Sequence, residues 1–108
     1  MVNWLHELSY FFGGAFLANA IPHFVSGGMG RPFQSPFAHP RGQGLSSSTV
    51  NVVWGFVNLV AAYLLVLCVG QFDVHDAPSM IALALGALLL SLFGAKHFGR
   101  FNGGNLQG

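Results

Sequence analysis

Apolar residues fall in three long blocks, Val2 to Ile21, Thr49 to Gly70 and Ala77 to Phe98, and polar residues gather between them. A bilayer crossing takes about 20 mainly apolar residues in helical form, and each block is long enough. In hydrocarbon every backbone N–H and C=O must be paired within its own segment, so each block is expected as an α-helix rather than an open strand. The pattern predicts an all-α integral membrane protein: one domain over residues 1–108, with helices at 2–21, 49–70 and 77–98. A long ordered, partly re-entrant loop rich in Pro, Gly and Phe then joins the first two helices at 22–48, and a flexible tail follows at 99–108.

The expected helix ends carry matching signals. Ser46, Ser47, Ser48 and Thr49 offer N-caps to the second helix, and Asp76 offers one to the third, whose first turn tolerates Pro78. Pro22 is expected to end the first helix, because the residue before a proline avoids helical geometry. Gly70 and Gly99 are placed as C-terminal stops. Ala18-Asn19-Ala20 has the small-x-small form of a signal-peptidase site, but the segment before it has no Lys or Arg and contains Glu7, so it is expected to be retained.

Composition strengthens the membrane reading. Hydrophobic residues make up 53% and charged residues 6%, too few charges to wet a soluble globule. The net charge of +1 gives no cationic face for a phosphate backbone, which excludes nucleic acid as a partner. Cys68 is the only cysteine, so no internal disulfide and no cysteine-based zinc site is possible. Arg31 and Arg41 lie in the first loop, and Lys96 and Arg100 lie around the end of the third helix. Three spans put all four on one side, and the positive-inside tendency makes that side cytoplasmic, with the N-terminus outside.

Polar residues inside the blocks locate candidate chemistry. Asn51, Gly55, Asn58 and Ala62 recur at helical spacing, so one face of the second helix carries two carboxamides. A carboxamide against lipid would leave its donors and acceptors unpaired, so this face is expected against another helix or a protein-lined path. At the outer end, His6, Glu7, Asp73, His75 and Asp76 gather without matching a metal motif. At the inner end, His23, His39 and His97 form a candidate haem or metal set, although no haem-attachment motif is present.

The 22–48 loop is expected to be neither helix nor strand. Pro32-Phe33 and Pro36-Phe37 repeat at a spacing of four, which is expected to turn both rings to a similar side and pack them under the helix ends. Gly27, Gly28 and Gly30 beside Arg31, with Arg41 further on, offer successive N–H groups for an anion. No Ser-His-Asp set, reactive cysteine or nucleotide-binding loop is visible, so catalysis ranks below binding, and no cofactor is named. The expected function is a non-catalytic binding or assembly subunit, joining identical copies or a larger membrane complex through the 22–48 loop, with lipids as neighbours. The alternatives are an oligomeric transporter lined by Asn51 and Asn58, and a haem- or metal-binding redox subunit.

Overall fold

The computed structural model describes residues 3–106. The order is α1 (Trp4–Gly28), β1 (Phe33–Gln34), β2 (Leu45–Ser46), α2 (Ser48–Tyr63) running into a π-helical segment (Leu64–Cys68), and α3 (Ala77–Asn102). Three helical runs, Trp4–Gly28, Ser48–Cys68 and Ala77–Asn102, are long and apolar enough to cross a membrane, which fits an integral membrane protein. The longest dimension, 44 Å, matches a bilayer with its headgroups, about 40–45 Å. Large apolar side chains such as Phe12, Ile21, Phe56, Val60, Leu85, Leu88 and Leu92 face outward on every helix. So much apolar surface has a favourable solvent in lipid and none in water.

The second and third helices start at caps expected from sequence, and α1 at a further one, Asn3. The Asn3 side chain accepts from the Leu5 and His6 amides, Ser47 from Val50, and Asp76 from Ser79. The first helix, however, does not end at Ile21. It continues through Pro22 to Gly28, although an interior proline removes a backbone donor and costs about 3 kcal/mol in a helix. What lies beyond the proline offsets that cost. Continued helix carries His23 to Asn51 on α2, and Gly27 to a close approach against Ser48 and Val52. Likewise α3 does not stop at Gly99, which is buried inside the helix; the stop is Gly103, in the left-handed conformation at φ 80°.

α1 is the centre of the fold. α2 and α3 each pack along it and scarcely touch each other. Missing side chains set the two interfaces. A Cβ on Gly86 would overlap the Phe11 carbonyl, and a Cβ on Gly55 would stand 2.7 Å from the Phe24 nitrogen. Backbone-to-backbone approach of this kind supplies the dispersion contact that substitutes for a hydrophobic drive inside a membrane. Near the far end of α2 the Val69 amide reaches back five residues to the Leu64 carbonyl, and the Ser9 hydroxyl donates to the Leu65 carbonyl.

The connection between α1 and α2 is shorter than expected, residues 29–47, and contains strand. Phe33 pairs with Ser46 and Gln34 with Leu45 in an antiparallel ribbon. Inside it the Gly42 amide donates to the Ser35 carbonyl at 2.8 Å and the Gly44 amide to the Pro40 carbonyl at 2.8 Å, with Gly42 at φ 73° making the turn. We call residues 29–47 the cap loop.

Candidate functional site

His23 stands where all the parts of the molecule meet. It is 2% exposed, and its Nδ1 lies 2.7 Å from Asn51 Oδ1. Asn51, fully buried, aims its amide nitrogen at the carbonyls of Phe33, Ser46 and Ser47 at 3.0–3.2 Å. The amide is therefore the donor end, its oxygen is the acceptor, and His23 Nδ1 carries the proton that closes the pair. Around the imidazole stand Phe33 from the cap loop, Trp54 from α2 and Phe98 from α3, with ring centroids 5.4, 6.4 and 5.9 Å away. One carboxamide thus ties the cap loop to α2, and one imidazole ties both to α1.

Further struts reach α3. His97 Nε2 donates to the Gly42 carbonyl at 2.6 Å, while its Nδ1 accepts from Arg100 at 2.9 Å. Asn102 donates to the Gln34 side-chain oxygen at 2.9 Å. The cap loop therefore bridges α2 and α3 at the one end where those helices need a bridge.

Deeper along α1, Asn19 donates to Asn58 Oδ1 at 3.0 Å, and Asn58 donates to the Trp54 carbonyl at 2.7 Å. Both expected carboxamides of α2 are buried, but they do separate things: Asn51 holds the cap loop and Asn58 holds α1. Among the described residues, the one buried side-chain polar atom without a partner is Trp54 Nε1.

Because α2 and α3 splay, a cleft of about 490 Å³ opens between them. Its floor is α1, at Phe11, Phe12, Phe16 and Asn19; Trp54 and Asn58 form one wall, and Gly86, Leu89, Leu90 and Phe93 the other. The surface is nearly all apolar, with carboxamides confined to the floor and the α2 wall.

No known family, curated protein or solved structure matches this chain.

Several expected groupings do not form. The Gly27, Gly28, Gly30 and Arg31 run makes no anion nest, because Gly27 and Gly28 belong to α1 and the amides that follow are spent closing its end. Met29 donates to Val25 and Ser26, Gly30 to Gly27, and Arg31 to Ser26. A helix C-terminus also presents carbonyls, the wrong polarity for an anion. Arg31 and Arg41 are exposed, as are Pro32 and Pro36. Phe33 and Phe37 do not share a side: Phe33 packs inward at 4.7 Å from Phe98, whereas Phe37 is 59% exposed against Trp54. Ser35 turns the chain between them, buried on Ser46 and accepting from the Phe37 amide.

The three histidines expected together, His23, His39 and His97, take separate places. His23 and His97 are engaged as described, and His39 is exposed. At the end of the bundle away from the cap loop the Ser79 hydroxyl lies 2.6 Å from Asp76 Oδ2 and 3.1 Å from Glu7 Oε1, while Asp73 pairs with His75. Among the described residues no three His, Cys, Asp or Glu side chains come together to hold a metal. Asn19 and the buried role of His23 were missed from sequence. Their signal was present: on antiparallel α1 and α2, Asn19 and His23 are one helical turn apart and meet Asn58 and Asn51 in reverse order.

Proposed function

We propose that this protein is a non-catalytic binding subunit of a membrane assembly, joining copies of itself or a larger complex. One observation carries the reading: α2 and α3 hold an apolar cleft open over α1, while the polar groups beneath the cap loop are consumed bracing that shape. An enzyme needs a nucleophile or acid-base group presented to a substrate; here His23 and Asn51 are sheltered and committed to each other. A water path along Asn51 and Asn58 is also disfavoured, since both amides are occupied by protein carbonyls. Within this reading the cap loop is the recognition element, lying at the cytoplasmic side with Phe37 and Leu45 presented outward.

Gentle purification followed by native mass measurement tests the proposal. The expected result is a mass above that of one chain, with partner chains or further copies retained. A lone chain at every detergent concentration, with full occupancy of none but detergent, contradicts it.

A further inference from the structure

We infer that the chain holds one anionic phospholipid along a single face of α3, its tail in the α2/α3 cleft and its phosphate between Lys96 and Arg100. This rests on the membrane reading above and names what the cleft takes. Gly86, Leu89, Leu90, Phe93, Lys96, His97 and Arg100 recur at spacings of three and four, so they form one continuous stripe. The first four line the apolar cleft. From Phe93 onward the same stripe lines a second hollow, about 360 Å³, completed by Asn105. Phe93 belongs to both, 65% exposed and stacked parallel to His97 at 5.8 Å.

The dimensions suit one lipid tail. Gly86 and Lys96 are ten residues apart, about 15 Å along a helix. That is half of the about 30 Å hydrocarbon core, one leaflet. The side chains at the Lys96 end favour an anion. Among the described residues no Lys or Arg forms a salt bridge, and Glu7, Asp73 and Asp76 all stand at the opposite end of the bundle. Among the described residues, Lys96 and Arg100 therefore have no carboxylate at their end of the bundle. Arg100 is positioned in advance: its guanidinium donates to His97 Nδ1, and His97 is fixed by the Gly42 carbonyl, which leaves the other guanidinium donors for phosphate oxygens. Near the end of α3 three carbonyls each take a donor from the chain that follows or from the last turn: Lys96 accepts from Asn105, Phe98 from Asn102 and Gly99 from the Gly104 amide.

The experiment reconstitutes the full chain in vesicles of equal parts phosphatidylcholine and phosphatidylglycerol, extracts it gently, and weighs the retained lipid by native mass spectrometry. One phosphatidylglycerol per chain is expected, in preference to phosphatidylcholine. Lys96→Gln with Arg100→Gln is expected to lower that preference about thirtyfold, the effect of two cations facing an anionic headgroup. Leu90→Trp, which fills the cleft and leaves the cations in place, is expected to reduce total retained lipid without restoring phosphatidylcholine. An excess of inorganic phosphate should leave the lipid bound. Equal retention of both lipids by the unaltered chain overturns the proposal, as does displacement by inorganic phosphate or indifference to both variants. The same spectra report stoichiometry: a single chain carrying phosphatidylglycerol would refute the assembly reading and leave the lipid site standing, whereas a multimer without selective lipid would do the reverse.

Discussion

At the scale of single residues, the two carboxamides of α2 separate bracing from packing. Replacing Asn51 with leucine strands His23 Nδ1 and takes the side-chain donor from the carbonyls of Phe33, Ser46 and Ser47, the last of which keeps the backbone amide of residue 51; a stranded buried group costs about 1–3 kcal/mol before relaxation. We expect Asn51→Leu to lose about 2–4 kcal/mol in reversible unfolding in mixed micelles. Asn58→Leu breaks one interhelical hydrogen bond to Asn19, which borders the cleft and can find another partner, so about 1 kcal/mol is expected. Equal losses for the two would show that Asn51 does not brace the cap loop. The helical spacing of Asn51 and Asn58 was readable because a carboxamide in an apolar helix must find protein. The partner of His23 was not readable, because its carboxamide lies 28 positions away and only the crossing of α1 with α2 brings it near.

At the scale of elements, two buried glycines of α3 make opposite predictions. A Cβ at Gly86 meets the α1 backbone, whereas one at Gly94 meets only the Phe98 ring at 3.7 Å, an ordinary contact. Gly86→Ala should therefore destabilise by about 1–3 kcal/mol through overpacking. Gly94→Ala should be neutral or stabilising by up to about 1 kcal/mol, since alanine is the better helix former. Both are read by the same unfolding titration, and a Gly86→Ala protein as stable as its parent would contradict the close α1/α3 crossing. The three helices were legible from apolar block length alone. The run of α1 through Pro22 was not, since the local rule against helix before proline was overridden by His23 and Gly27 docking on α2. The cap-loop ribbon was also hidden: two-residue strands carry no alternation, and their pairing depends on where Asn51 and His97 anchor the backbone.

At the scale of the whole molecule, charge and shape divide along the long axis. Arg31, Arg41, Lys96 and Arg100 gather at the cap-loop end and Glu7, Asp73 and Asp76 at the other. That segregation was visible in the sequence once three spans were counted. The splay of α2 from α3, and with it the cleft, was not, because it follows from both helices choosing α1. The positive-inside expectation predicts that Val74→Cys in a Cys68→Ser background reacts with an impermeant thiol reagent on intact cells, and Gln43→Cys only after lysis. The reverse labelling order would invert the orientation.

The brace beneath the cap loop is tested most directly by amide hydrogen exchange of the chain in lipid nanodiscs. We predict slow exchange at Gly42 and Gly44, whose amides are bonded within the loop, and its loss in Asn51→Leu while the helices stay protected. Exchange at the unstructured rate throughout residues 29–47 of the unaltered chain would contradict the account.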